Sequence, residues 1–521
     1  MAGPGALSAM SAGAIEKLHV IIAPQHWSGA TGISLSVALY LLLVCHFLFN
    51  RYHKGLEKVP GPFLNSISTI PRIWSVYRAS SHVDDMRLHQ KYGHIVRVAP
   101  RIISVSDTAS VEHLYGITTK FVKSEFFKLG AFTDDKGEYI PDPFSTQDRH
   151  IHSRLKRGAA NAYSLASLVK MEPLISPVTN RLLKLLDRHA DSGTICDFGD
   201  VLKNYAMDAI FCISFGQDMN YLEKGDHIRL YHVLDIFASY MAIQFGQIPW
   251  CHKFLLKNPR LAEWIAGNDT SQLQMMDLAI RETEASFSKP PSDGPETFVQ
   301  LLVNNQRKSP TSITIDEIHG NALGNISAGS DTTATALRAV IYLLLKNPTA
   351  YQRLCDEVRS NLELPVKFKE ASKLTYLNAC IKEALRMHPP VGMLLGRQAP
   401  QGGEVVNGFH IAEGIEIGIN PMILHHDTQV FPDPYEYNPG RWLKTEQNEE
   451  HLKLMNRCLI AFGHGRHICS GQHISMVEMT NLIPTLLIRY DLKLANNGRN
   501  YKFKNWWFTT QTGLEVLFSR R

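Results

Sequence analysis

FGHGRHICSG, residues 462–471, sets a single cysteine among glycines and bases near the end of a 521-residue chain. The other cysteines, Cys45, Cys196, Cys212, Cys251, Cys355, Cys380 and Cys458, are scattered, and no two cysteines form a CxxC pair. That usage argues against a disulfide framework or a structural zinc site and fits a reducing, cytosol-facing compartment. A thiolate near neutral pH needs positive surroundings, and His464, Arg466 and His467 are expected to supply some of them. After Cys469 the run SGQHISMVEMTNLIPTLLIRY has helical spacing. The cysteine therefore falls just before or at a helix N-terminus, where free N–H groups and the dipole also favour an anion. Gly465 permits a tight turn, and Gly471 lets backbone approach a flat partner closely. A lone cysteine in such a turn is more often simply half-buried. Ten residues at this spacing describe instead a thiolate presented to a planar cofactor.

Working outward, 44% hydrophobic and 20% charged residues make an ordinary globular balance. A net charge of +5 is too mild to imply nucleic acid and suits an acidic partner or an anionic membrane. Residues 31–50, TGISLSVALYLLLVCHFLFN, carry no formal charge and approach the ~20 positions that a spanning helix needs. Arg51, Lys54 and Lys58 follow at once, whereas only Lys17 precedes, so the C-terminal side is expected in the cytoplasm. No basic region starts the chain, which disfavours a cleaved signal peptide. The organisation read here is a lumenal arm (1–30), a transmembrane anchor (31–50), a basic and proline-rich hinge (51–62) and one large body (63–521). The sequons at Asn268 and Asn325 should then be unglycosylated. Within the body, helices are expected over 314–345 and 371–388, the latter ended by Pro389-Pro390. HIVRVAPRIISVS and GLEVLF read as short strands. The fold class is mainly α with a minor β portion.

Residues 462–471 resemble the haem-binding loop of the cytochrome P450 family, Phe-x-x-Gly-x-Arg-x-Cys-x-Gly. Phe462, Gly465, Cys469 and Gly471 match, while His467 stands where arginine is usual and Arg466 one place earlier. Three further stretches resemble the family in the right order: AGSDTT (328–333), KEALR with Glu383 and Arg386, and NPGRW with Arg441. Alone, a Glu and an Arg three apart on a helix mean little. The resemblance implies Cys469 as axial ligand of the iron of haem b, and Glu383, Arg386 and Arg441 as a buried structural triad. It implies that the long helix opens over the haem at Gly329, and that Asp331 and Thr332 relay protons to dioxygen. Gly, Asp and Thr are poor interior helix residues, which also predicts a local distortion there. Cofactor contacts carried over are Phe462, Gly465, Gly471, Gly329, His467 and Arg397. His152 and Lys156, in HIHSRLKRGAANAYS, stand where the family has tryptophan and arginine.

By the same resemblance the chain is a haem-thiolate monooxygenase acting on a lipophilic small molecule, most similar to fungal members that act on specialised metabolites. A single-pass endoplasmic reticulum membrane protein with a cytosolic body is implied, fed from NADPH by a separate NADPH–cytochrome P450 reductase, with cytochrome b5 as a further partner. The chain itself shows no flavin or nicotinamide motif. A haem-thiolate isomerase or dehydratase, needing no external electrons, and a non-catalytic haem carrier are the alternatives. Candidate pocket walls are 121–144 with Phe126, Phe127 and Phe132, then Asn321, Asn325 and Ala328, then 391–395 and 506–510. The stretch 236–250, IFASYMAIQFGQIPW, is a candidate bilayer contact.

Overall fold

The computed structural model describes residues 29–133, 139–239, 241–242, 246–249, 251, 271–288 and 294–521. The apolar N-terminal run forms helix α1, Gly29–Tyr52, which encloses the expected anchor. From Ser34 onward it is long and apolar enough to cross a membrane, and none of that window is buried against the body. Its end is nevertheless bolted down. Buried Arg97 donates to the carbonyls of Asn50, Arg51 and Pro100, and its N–H bonds Pro60 O at 2.7 Å. Gly61 permits this contact, because a Cβ there would sit 2.5 Å from Arg97 O. The hinge is thus a fixed elbow. Helices α2 (Phe63–Ile67) and α3 (Ile70–Tyr77) follow it.

Strands β1 (Ile95–Ala99), β2 (Ile102–Val105) and β3 (Val122–Lys123) precede α4 (Arg149–Ala159) and α5 (Phe198–Phe215). Helix α6, Ile315–Lys346, starts one residue after Thr314, whose side chain and Glu317 form a reciprocal capping box. Glu317 also takes both guanidinium arms of Arg154, tying α4 to the start of α6. The expected distortion at AGSDTT is not seen: α6 is an unbroken α-helix through it. Its flanks explain this. Ile326, Ala334 and Leu337 are fully buried, and such packing outweighs propensity costs of up to ~1 kcal/mol per poor helix former. Gly329 instead gives room to α5, since a Cβ there would lie 2.9 Å from Ile210 Cγ1.

Helix α7 runs over Thr375–Met387, shorter than the expected 371–388, and Phe368–Ala371 is a separate short helix. The Glu357 carboxylate accepts the N–H groups of Tyr376 and Leu377, so α7 is capped from a neighbouring helix and begins there. Then come β4 (Arg397–Gln398), β5 (Glu416–Ile419) and helix α8 (Gln472–Arg489). The chain ends in β6 (Tyr490–Leu494), β7 (Lys502–Asn505), β8 (Thr509–Thr512) and β9 (Glu515–Arg520). One five-stranded sheet has the order β1-β2-β5-β4-β3, with only β2 and β5 parallel. Strands β7 and β8 form a separate hairpin. The helices pack on one another through a shared apolar core that includes Leu202, Leu337, Leu377 and Leu482. Of 236–250, positions 240, 243–245 and 250 lie outside the described residues, whereas Met241 and Ala242 are buried. Asn325 is buried in α6, where no glycan could attach; Asn268 lies outside the described residues.

Glu383 and Arg386, both fully buried, meet in a bidentate pair with two bonds of 2.9 Å. Arg441 Nε, Trp442 Nε1 and Asn438 N also donate to the same carboxylate, at 3.0, 2.8 and 3.0 Å. Burial pushes the Glu383 carboxyl up, but the bonds from Arg386 and the charges of Arg386 and Arg441 prevail and hold it below its ordinary value. Arg386 reaches further, to the carbonyls of His425 and Pro434. His425 accepts from Ile460 N through Nε2 and donates from Nδ1 to Arg386 O. Burial, then Arg386, holds that imidazole neutral, at a pKa of about 3. The network therefore ends two residues before Phe462. Replacing Arg386 with leucine strands a buried carboxylate, a loss on the order of 3–5 kcal/mol. Thermal unfolding should show a large fall in midpoint or an insoluble protein, and a variant as stable as the parent would remove the network's structural importance.

Candidate active site

Between β5 and α8 the chain turns sharply around Gly463 and Gly465, both at positive φ. Gly465 is packed against Tyr115, whose carbonyl would lie 2.2 Å from a Cβ at this position, so no side chain fits. Cys469 N donates to Phe462 O at 2.8 Å and closes the loop. Helix α8 starts three residues on, and the N–H groups of Gly471 and Gln472 face the sulfur. A Cβ on Gly471 would stand 3.9 Å from Sγ.

The bases next to Cys469 in sequence do not surround it. His464 pairs with Glu112 at 2.8 Å, Arg466 donates to Ile117 O, and His467 meets His152 at 3.1 Å. The cation that acts on the sulfur is Lys156, from α4, whose Nζ bonds Ile468 O at 2.8 Å. Burial pushes the Cys469 thiol up, only partly opposed by the two N–H groups and Lys156. His464 and Arg466 are engaged elsewhere and only His467 reaches the cavity that the sulfur faces, so the charges next in sequence do not lower the thiol in the metal-free protein.

That cavity, of about 350 Å3, lies between the cysteine loop and α6. Cys469, Phe462 and Gly471 line it from one side, and Ala328, Gly329 and Thr332 from α6 line the other. Thr332 Oγ1 donates to Ala328 O at 2.7 Å, which leaves its oxygen free to accept a proton donor. Asp331 does not line the cavity. Its carboxylate turns toward α5 and pairs with Lys203 at 3.3 Å. Gly465 does not line it either and serves the turn.

One rim is basic. His152, Lys156, Arg397 and His467 all line it, and the sheet adds a cation that sequence reasoning missed. Lys123 of β3 lies directly across the ladder from Arg397 of β4. Like charges opposite one another are unfavourable. Burial, then Arg397, pushes Lys123 down to about 7, and burial pushes Arg397 down to about 10. His152 is held at about 3 by burial and then Lys123, and burial pushes His467 down further. Buried Arg397 Nε and His152 Nδ1 have no hydrogen-bond partner. Lys123 was overlooked because it reads as one lysine in an aromatic lid; only strand register reveals its partner. A sulfur on one face and crowded, under-partnered donors on the rim suit a flat metal-bearing group with anionic arms. The residues present fit haem.

Farther from the sulfur the walls are apolar: Phe127, Phe144, Ile210, Met241, Trp507 and Phe508. Asn321 and Asn325 line the cavity as expected, and so do Val391 and Leu395, but not the whole of 391–395 or 506–510. Phe126 packs on Trp507 at 4.6 Å behind the wall, and the side chain of Phe132 lies outside the described residues.

A family model described as Cytochrome P450 matches residues 60–517. Cytochrome P450 monooxygenase cicH of Emericella nidulans is 33% identical over 489 residues, covering 92% of this chain and 97% of that protein. Cytochrome P450 monooxygenase pkfB of the same organism is 29% identical, covering 96% and 98%. Cytochrome P450 monooxygenase mpaDE of Penicillium roqueforti is 31% identical over 94% of this chain but only 57% of its own, longer one.

Opposed cations make a prediction in two parts. Lys123→Met removes one of two repelling charges but also the bonds from Nζ to Pro143 O and Phe144 O, so the haem-free protein should change little in stability. Haem should leave roughly tenfold faster, the scale of one lost charge-assisted bond. Haem transfer to apomyoglobin measures the rate; an unchanged rate removes Lys123 from the haem site.

Proposed function

Because the chain belongs to the cytochrome P450 family and is an oxidoreductase of its monooxygenase type, we propose that it inserts one oxygen atom of O2 into a lipophilic organic substrate. Hydroxylation in fungal specialised metabolism is the proposed setting, supported by the fungal monooxygenases among its relatives. NADPH, through a separate flavoprotein reductase, supplies two electrons, and the second oxygen atom leaves as water. Cys469 is the proposed iron ligand. Lys123, Lys156 and Arg397, with His152 and His467, are proposed to hold the propionates. When bound, haem supplies the reductive activation of dioxygen.

The protein's own work is then positioning and proton supply. Apolar walls exclude bulk water and hold the substrate over the metal side of the cavity. Thr332 Oγ1 holds a proton there, within a helix whose Ala328 carbonyl fixes the rotamer. Asp331 stands one residue away on the α5 side, 20% exposed, where it meets solvent beside Lys203. Protons pass from that side to the Thr332 hydroxyl. The observation that carries this reading is that Cys469, the basic rim and Thr332 share one cavity. An isomerase would need no proton supply at Thr332.

Membrane attachment is proposed through α1, single-pass in the endoplasmic reticulum with the body cytosolic. Exposed Phe63, Leu64, Ile70, Trp74 and Tyr77 on α2 and α3 continue its apolar surface onto the body. Arg51 lies over Phe63 and Arg78 over Trp74, the aromatic–basic pairing of a membrane interface.

In turnover with reductase, NADPH and 18O2, one labelled atom should enter the product. Thr332→Ala keeps the helix, since alanine is the better helix former. NADPH should still be consumed, with product per NADPH falling by up to roughly a hundredfold, the low end for loss of a proton-transfer group, and hydrogen peroxide rising. Undiminished coupling would remove Thr332 from the relay, whereas product formed without NADPH would favour the isomerase.

Deleting residues 1–45 spares the Asn50 and Arg51 carbonyls that Arg97 needs. Haem loading should persist while part of the membrane binding is lost, and adding Trp74→Ser should release more in flotation assays. A truncated protein unable to take up haem would make the segment part of the core.

A further inference from the structure

Two walls of the cavity come from segments more than a hundred residues apart, and one buried side-chain amide reinforces the few backbone links between them. Val391 and Leu395 follow α7; Trp507 and Phe508 form the tip of the β7–β8 hairpin. Pro389 and Pro390 precede the first wall and have no N–H to donate, so a regular ladder cannot continue through them. Their carbonyls are taken by Thr509, whose N–H bonds Pro390 O at 2.9 Å and whose Oγ1 bonds Pro389 O at 3.0 Å. The backbone link beyond is thin: a Val391–Phe508 bridge and a 3.4 Å bond from Gly392 N to Trp507 O. At this point Asn505, fully buried, donates from Nδ2 to Gly392 O at 2.8 Å. The fit depends on glycine, because a Cβ at position 392 would fall 2.1 Å from Asn505 Oδ1 and 2.5 Å from its Cγ.

Resting on the monooxygenase reading, we propose that Asn505 is a positioning residue for substrate: through Gly392 it locks the Val391–Leu395 wall and the Trp507–Phe508 wall into one surface. Asn505 does not itself line the cavity. It acts through the four side chains that do, and so governs ligands large enough to reach them. Thr335 of α6 bonds Thr509 O at 3.1 Å and ties the joined wall to the helix carrying Thr332. Orientation of a bulky substrate relative to Thr332 is therefore set from behind the wall.

Three holoenzyme variants test this: Asn505→Ala, Gly392→Ala and the double variant. The probes are two nitrogen ligands titrated by their Soret shift, imidazole, too small to reach the wall, and clotrimazole, a triaryl ligand bulky enough to touch it. Each single variant should weaken clotrimazole roughly tenfold, the scale of one buried hydrogen bond, with imidazole within about twofold. In the double variant the added methyl meets no amide, so it should bind clotrimazole more tightly than Gly392→Ala alone. Parallel changes for both ligands, wild-type binding by all three, or a double variant no better than Gly392→Ala would overturn the proposal. An Asn505→Ala protein that takes up no haem would assign the residue to folding instead. The ferrous carbonyl spectrum of the wild type separates the two readings. Without a thiolate-type Soret band there, the monooxygenase assignment itself fails, whatever the variants do.

Discussion

Glu383 keeps its charge in a place without water only because Arg386, Arg441, Trp442 and the Asn438 N–H all donate to it. Removing charges from water costs several kcal/mol each, so such a group persists only when each oxygen is satisfied. The consequence is geometric. Donors from α7 and from the 438–442 turn must meet at one point, and Arg386 extends that point to the backbone at 425 and 434. His425 carries it on to Ile460. The chain of directional bonds thereby reaches Ile460, two residues before the loop that the Cys469 N–H closes on Phe462 O.

Much of this was legible. The expected start of α6 at 314 falls within a residue of the observed one, and the capping box of Thr314 and Glu317 that fixes it is local chemistry. Glu383, Arg386 and Arg441 could be named from their motifs, whereas Trp442 and His425 could not, since a tryptophan beside an arginine reads as core and a histidine before a histidine reads as surface. The start of α7 was misjudged for a related reason: its cap comes from Glu357, in another helix. Helix-breaking residues at 328–333 suggested a distortion that burial overrides. Local signals survive in a sequence; partners supplied from elsewhere do not.

Charge reading failed in the same way around the sulfur. His464, Arg466 and His467 sit beside Cys469 in the chain yet bond Glu112, Ile117 and His152. His467 apart, the groups that shape the cavity's basic rim arrive from β3, α4 and β4, and Lys123 faces Arg397 only because the two strands pair in that register. Two cations opposed in a sheet repel, and the protein offsets this with the Pro143 and Phe144 carbonyls on Lys123 and with the Asp142 and Glu416 carboxyls nearby. An anionic ligand would offset it further, and the pair lies where a cofactor with acid arms would sit.

The two sides of the cavity are built differently, and the difference bears on how substrates are discriminated. On the sulfur side, the buried Glu383 network and His425 chain allow little movement, because each displaced partner leaves a charge or a donor unpaired. Across the cavity, the walls are aromatic and aliphatic side chains joined by a few neutral bonds, at Asn505, Thr509 and Thr335. Exchanging Trp507, Phe508 or Val391 alters the shape offered to a ligand and leaves no charge stranded. The shape on that side can therefore change while Cys469, the basic rim and the Thr332 hydroxyl stay in place. Asn505 and Gly392 stand apart from those exchangeable positions, because the fit between them requires an amide on one strand and no side chain on the other.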